Sequence, residues 1–373
     1  MAQQKAAKRA TTTAACQASI EALRSRIDRI DQDLLKQMNE RAQLAAEIGR
    51  LKHSGGISAY APAREDEVLA RVLSHNKGPL GDRCVRAVFA ELISGSRAME
   101  RDLRVAYLGP AYSYSHLAAI HRFGQSVELV PVSTIAAVFE EINRRQADFG
   151  IVPVENSTDG RVGDTLEMFA RLPARICGEV QLRIHHNLLG RCARGDVEEV
   201  YSKPQALSQC RNWLARHLPL ARTVEVTSTS TAAQLALDKP GAAAIASLQA
   251  GVHYGLDVLA ADIEDNPGNL TRFAVIGDEP APRTGSDKCA LMFEVPHKPG
   301  ALADAMNVFK RGRLNLTWIE SFPIARPEGG YLFFVELEGH ESDTRVSKAI
   351  ASLEKKCLRL EVLGSYAKMA PVE

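Results

Sequence analysis

The most constraining feature of this 373-residue chain is an apolar stripe that never meets a breaker. Leu23, Ile27, Ile30, Leu34, Leu44, Ile48 and Leu51 recur at heptad-like spacing, with no proline or glycine from Ser19 until Gly49. That pattern predicts one helix over about Ser19–Lys52, roughly 50 Å long at about 1.5 Å per residue. A helix of that length cannot bury its stripe inside a unit of under about a hundred residues, so it is expected to pair with a second copy of the chain. Gly55-Gly56 ends it. Two shorter helices are expected from about Arg64 (Val68, Leu69, Val72, Leu73) and from about Asp82 to Arg101 (Val85, Phe89, Leu92, Ile93). The first eighteen residues carry no apolar core and are expected to form a disordered tail.

Charges interrupt these stripes. Arg41 lies seven residues from both Leu34 and Ile48, and Lys52 three turns beyond it, so both share the apolar face. Ser96 and Glu100 continue the stripe of Val85, Phe89 and Leu92. Inward cations without partners are costly. Either these side chains reach out to the helix surface, or together they hold an anionic ligand; their number favours the ligand.

From about Arg104 to Ile276 strand and helix signals alternate, which predicts an α/β unit with its ligand between lobes. Its centre is Phe149-Gly150-Ile151-Val152, a buried strand that Pro153 is expected to stop, followed by Val154-Glu155-Asn156-Ser157-Thr158-Asp159-Gly160. Two readings fit that loop: a tight turn of turn formers, or a binding loop at the carboxyl end of a strand. His185-His186 suggests a metal, but adjacent strand residues face opposite ways, so no metal or other cofactor is expected. Residues 285–366 read β-α-β-β-α-β, a ferredoxin-like order.

Composition removes other classes. Net charge is +1, which gives no field for nucleic acid or an anionic membrane. No apolar run is long enough to span a bilayer. Seven scattered cysteines without a C-x-x-C pair point to a reducing cytoplasm.

These residues also carry resemblances. Leu23-Arg24-x-x-Ile27, Glu40-Arg41, Lys52, Arg64-Glu65, Ser96 and Glu100 resemble the all-helical chorismate mutase family. The resemblance implies Arg24 and Arg41 as carboxylate-binding arginines, Lys52 and a protonated Glu100 as donors to the ether oxygen, and Glu65 on the ring hydroxyl. Arg64 and Ser96 join them, and Ala61 stands where some members carry an aspartate. Leu108-Gly109-Pro110…Ser113-Tyr114-Ser115, Pro153-Val154-Glu155-Asn156-Ser157, Thr229-Ser230-Thr231-Ala232-Ala233 and Asn269-Leu270-Thr271-Arg272-Phe273 resemble the prephenate dehydratases, a two-lobed fold like that of periplasmic binding proteins. By that match Thr271 is the essential catalytic hydroxyl. Asn156, Ser157, Thr158, Ser202, Gln209, Thr231, Arg272 and Phe273 are candidate prephenate-binding residues, and Tyr112 replaces a small residue, usually glycine.

Pro299-Gly300-Ala301-Leu302 and Glu320-Ser321 resemble the ACT module. The resemblance implies phenylalanine as effector, bound between subunits near Gly300, Ala301, Leu302, Asn315, Glu320 and Ser321; Phe322 replaces a common arginine. The domains expected are 1–18 (tail), 19–103, 104–280 and 285–366, the last separable from the rest. The combined expectation is a multidomain, bifunctional enzyme of phenylalanine biosynthesis, a homodimer or higher homo-oligomer. The alternatives are a dehydratase acting on arogenate, or a non-catalytic ligand-sensing regulator.

Overall fold

A computed structural model describes residues 2–55, 62–100, 103–324 and 330–372. The chain opens with helices α1 (Ala2–Ser54), α2 (Pro62–Ser74) and α3 (Asp82–Glu100). The tail expected over residues 1–18 is therefore helical from Ala2 onward. Its Ala, Gln, Lys and Arg residues are good helix formers, and nothing before Gly49 interrupts the turn-to-turn bonding. The stripe of α1 is left largely uncovered among the described residues: its large apolar side chains run from 40% exposed at Met38 to 66% at Leu51.

The middle of the chain makes two lobes. β1 (Arg104–Leu108), α4 (Tyr114–Phe123), β2 (Glu128–Val132), α5 (Ile135–Asn143), β3 (Phe149–Asn156), β4 (Gly160–Arg161), α6 (Gly163–Arg171) and β5 (Arg175–Arg183) form most of the large lobe. The chain then crosses to a small lobe of β6 (Asn187–Gly190), β7 (Glu199–Ser202), α7 (Pro204–Gln209), α8 (Arg211–His217), β8 (Arg222–Glu225), α9 (Thr229–Asp238), β9 (Ala242–Ala246), α10 (Leu248–Tyr254) and β10 (Asp257–Ala260). It returns as β11 (Leu270–Gly277), which inserts between β3 and β5 to give the order β2-β1-β3-β11-β5, with β4 paired to β3. The small-lobe order is β10-β6-β9-β7-β8.

Pro153 does not stop β3. The strand runs on to Asn156, because β1 pairs with β3 only as far as Ile151 and leaves the later amide side of β3 without that neighbour. A proline is tolerated at such a place, and the β3–β11 register shifts beside it: Phe273 faces Pro153 while Arg272 faces Glu155.

β12 (Asp287–Glu294), α11 (Ala301–Gly312), β13 (Leu316–Pro323), β14 (Tyr331–Glu338), α12 (Thr344–Glu354) and β15 (Arg359–Ala367) form an antiparallel sheet of order β13-β14-β12-β15, the ferredoxin-like arrangement. This sheet is not a detached module. Ala290, Met292, Leu332, Phe334, Leu363 and Tyr366 belong to the same core as Val180, Ala274 and Phe273 of the large lobe. The contact is close enough that a Cβ on Gly364 of β15 would sit 2.1 Å from the Ile176 carbonyl oxygen of β5. Beyond β15 the chain pairs with β5, Arg183 N donating to Val372 O at 2.9 Å.

The helical unit is docked as well. Ser94 Oγ donates to Phe123 O at 2.7 Å, and Arg97 lies over the Phe123 ring. Gly124, at φ 72°, leaves room for Ser94, which would lie 2.4 Å from an added Cβ. Among the described residues no helix is long and apolar enough to cross a membrane.

Candidate active sites

A cleft of about 930 Å³ separates the two lobes. Four helices, α4, α5, α6 and α9, begin at its wall, three of them capped by side chains: Ser113 accepts from His116 N, Thr134 from Ala137 N and Ser228 from Thr231 N. Their amino ends bring positive potential and spare N–H groups into one space, which suits an anion. Lys203 and Arg161 add two cations to the lining.

Thr271 stands on β11 at the floor of this cleft. Asn156 Nδ2 donates to its Oγ1 at 2.8 Å and lies 3.1 Å from Asn269 Oδ1. Asn156 is held by its own loop, since Oδ1 accepts from Thr158 N at 2.9 Å and Asp159 N at 3.1 Å. Gln209 reaches across from the small lobe, donating to Asp159 Oδ2 at 2.9 Å and accepting from Asn269 Nδ2 at 2.8 Å. Its Oε1 also lies 2.8 Å from His186 Nε2, and His186 Nδ1 is 3.1 Å from Tyr114 Oη. Burial holds His186 below the ordinary histidine range, partly offset by its hydrogen bond to Gln209.

Other expected residues lie elsewhere. Ser202 is fully buried and donates to Ile245 O at 2.6 Å, so it ties β7 to β9 in the core. Thr231 does not line the cleft; its hydroxyl meets Ser228 Oγ at 2.8 Å inside the cap of α9. Ser157 turns to Leu270 and Gly268, and Thr158 to Asn269 at 3.4 Å, so both brace the loop. Phe273 lines the cleft, but Arg272, between Phe273 and Thr271, points to the other face of the sheet and into the C-terminal unit. Tyr112 adopts φ 63°, a backbone region that favours glycine, and stacks on His253 with ring centroids 4.0 Å apart. His186, Asp159, Asn269 and Tyr114 were not expected here. His186 was visible only as half of a His-His pair, and Asn269 only as the start of a motif.

In the helical unit Arg41 Nη1 donates to Ser96 Oγ at 2.8 Å and to Leu92 O at 3.3 Å. Glu65 receives Arg97, a residue sequence reasoning passed over, at 2.6 Å from Nη2 and 3.0 Å from Nε. Arg64 turns outward to Glu67 at 2.9 Å. Arg24 and Arg41 sit seventeen residues apart on one helix, about 25 Å. One chain therefore does not bring them to a single small ligand. Ala61 and the side chain of Glu100 lie outside the described residues.

In the C-terminal sheet, Gly300 caps α11 at φ 84°. The loop before it and Ser321 share one end of the sheet, because Glu294 and Phe322 both pair with Leu332. Asn315 is at the other end, accepting from Glu338 N. Glu320 and the Ser321 carbonyl are both held by Arg161 from the cleft wall. Phe322 packs against the shared core.

The prephenate dehydratase family profile matches residues 105–281, and the chorismate mutase type II profile matches residues 23–101. A bifunctional chorismate mutase/prephenate dehydratase of Aquifex aeolicus is 42% identical over 351 residues, 93% of this chain and 97% of that one. The chain belongs to the bifunctional chorismate mutase/prephenate dehydratase family. Two solved relatives of the larger part are prephenate dehydratases. A prephenate dehydratase from Arthrobacter aurescens in complex with L-Phe is 32% identical with a TM-score of 0.67, covering 71% of this chain and 90% of that chain. The Staphylococcus aureus prephenate dehydratase is 31% identical with a TM-score of 0.62, covering 71% of this chain and all of the other.

Proposed function

We propose that this chain rearranges chorismate to prephenate in its helical unit, then decarboxylates and dehydrates prephenate to phenylpyruvate in the cleft. The observation that carries the second step is the Asn156–Thr271 contact beneath four converging helix ends. Asn156 supplies a donor to Thr271 Oγ1, which leaves the threonine proton free to point at the leaving ring hydroxyl. As the ring C–CO₂⁻ bond breaks, carbon dioxide leaves and the bonding electrons enter the ring, the hydroxyl departs as water with the proton from Thr271, solvent returns a proton to the Thr271 oxygen, and aromatisation drives the step. The helix ends, Lys203 and Arg161 hold the two carboxylates. His186, Gln209 and Asn269 keep the amide of Asn156 oriented.

The first step needs no base or nucleophile. It needs the compact conformer of chorismate and positive charge at the breaking ether bond. Arg41, fixed by Ser96, grips one carboxylate. Because Arg24 is a long reach away on the same helix, the second grip comes from Arg24 of another copy, whose α1 covers the exposed stripe. The working unit is thus at least a homodimer with Lys52 and Glu100 at the ether oxygen. The C-terminal unit is an ACT-like sensor that binds phenylalanine at the sheet end carrying Gly300, Glu320 and Ser321 and lowers dehydration. The six described cysteines carry free thiols, which fits a cytoplasmic enzyme.

The test is direct. Purified chain given chorismate forms phenylpyruvate, followed by absorbance, and phenylalanine slows it. Chorismate consumption that stops at prephenate removes the cleft reading; no consumption at all, with prephenate still dehydrated, removes the helical one.

A further inference from the structure

The regulatory sheet and the large lobe meet across buried charge. Arg272 Nη1 donates to Glu336 Oε2 of β14 at 2.6 Å and lies 4.0 Å from Glu179 Oε2 of β5. Its Nε is 3.4 Å from Glu155 Oε2 of β3, and its guanidinium sits 5.2 Å from the ring centroid of Trp318 on β13. Lys288 of β12 donates to Glu179 Oε2 at 2.7 Å and is 3.9 Å from Glu336. Tyr366 of β15 donates to Glu336 Oε1 at 2.6 Å. All four strands of the C-terminal sheet thus contribute a side chain, and so do β3, β5 and β11.

Such a cluster is a poor source of stability compared with apolar packing, and the surrounding interface is apolar. Its physics suits a latch. Parting any one pair strands a buried charge, so intermediate positions are disfavoured and the two sheets move together or not at all. Arg272 Nη2 is buried with no hydrogen-bond partner among the described residues.

The latch reaches the cleft through strand alternation. Thr271 and Phe273 face the cleft, and Arg272 between them faces the sensor. Thr271 and Arg272 share a rigid, planar peptide unit, so moving one moves the other. The β3–β11 register shift falls directly after Arg272, where the ladder to β3 pins this pair least. Trp318 lies on the same strand as Glu320 and Ser321 and pairs with Glu336, so an effector that shifts β13 shifts two of the four partners of Arg272.

We propose that Arg272 is a positioning residue: gripped by Glu336 of the regulatory sheet, it sets the place of the Thr271 hydroxyl, and the effector acts on dehydration through that grip. This rests on reading Thr271 as the reacting hydroxyl and phenylalanine as the effector. The test uses the full-length protein with Tyr366→Phe, which removes one hydroxyl, and Glu336→Gln, which removes the charge. Mutase turnover in the same chain is the internal control for folding. Both variants are expected to keep mutase turnover and to keep KM for prephenate within about twofold, while the phenylalanine concentration for half inhibition rises about threefold in Tyr366→Phe and about tenfold in Glu336→Gln, in the range of measured coupling changes. Glu336→Gln should also lower dehydratase kcat, about tenfold. If Glu336→Gln does not fold, Tyr366→Phe decides. A folded Tyr366→Phe with wild-type kcat and wild-type inhibition overturns the proposal, as does a parallel fall of both activities with inhibition unchanged, which would make the cluster a structural clasp. A wild type that phenylalanine does not inhibit removes the effector reading instead, and the split between kcat and KM in Glu336→Gln still judges the positioning of Thr271.

Discussion

Replacing Thr271 by valine removes one oxygen and keeps the shape of the side chain. Asn156 Nδ2 loses its 2.8 Å acceptor but keeps Asn269 Oδ1 at 3.1 Å, so it is not left wholly unpaired. The cost in stability is then that of one net hydrogen bond, about 1 kcal/mol. The cost in rate is larger. Losing a positioned proton donor lowers turnover by about 10² to 10⁴, equivalent to about 3–5 kcal/mol of transition-state stabilisation. KM for prephenate should change little, because the carboxylates are held by the helix ends. The assay follows phenylpyruvate formation and chorismate consumption in the same preparation. Phenylpyruvate formation collapses while chorismate consumption continues at the wild-type rate. Loss of both activities in a folded protein would mean a single shared site, and a valine variant with more than about a tenth of wild-type dehydratase turnover would remove Thr271 as donor.

Three further outcomes follow from the same geometry. Arg24→Ala and Arg41→Ala chains, each inactive as a mutase alone, regain about a quarter of wild-type mutase activity when unfolded and refolded together one to one, because half the dimers are mixed and each mixed dimer holds one intact site; no recovery would place both arginines in one chain's site. Burial keeps His186 neutral below its ordinary pKa of about 6.5. The unfolded chain therefore takes up a proton that the folded chain refuses, and stability present above about pH 6.5 is lost as pH falls toward the depressed value. Melting temperatures between pH 7.5 and 5 should fall less in His186→Gln than in wild type. Gly124→Ala places a methyl 2.4 Å from Ser94 at φ 72°, a clash plus backbone strain of about 2–4 kcal/mol. It should loosen α3 from α4 and split denaturant unfolding into two transitions; a single wild-type transition would show that this junction yields freely.

Strands that read from the sequence did so because their apolar runs are short and bounded, as with Ala242–Ala246 and Tyr331–Glu338. Pro153 misled because a proline's effect depends on whether its amide side has a neighbour, which is a property of sheet order. Ser202 misled because a motif fixes a residue near a site without fixing the face it turns to. Arg272 sat inside a legible motif, and strict alternation already puts it opposite Thr271. What no local pattern carries is which face meets the sensor, since its partner Glu336 lies 64 residues away. The network of Gln209, Asn156 and Asn269 is illegible for the same reason: each bond spans 53 residues or more.

The same long-range contacts decide how regulation can be dissected. By order along the chain, the sensor looks like an appendage that a cut after Ala281 would remove cleanly. The fold argues otherwise. Such a cut strips the shared core of Met292, Phe334, Leu363 and Tyr366 from the face of β5 and β11. It also takes Glu336 and Lys288 from the cluster and leaves Arg272 with only Glu155 and Glu179, one of them 4.0 Å away. An exposed apolar face and a half-emptied charge cluster would sit on the strand that carries Thr271. Lost dehydratase activity in that truncation would report damage to β11 and would say nothing of inhibition. Substitutions that leave the interface closed, such as Tyr366→Phe, separate the two effects, because the large lobe keeps its cover while one contact of the latch is removed.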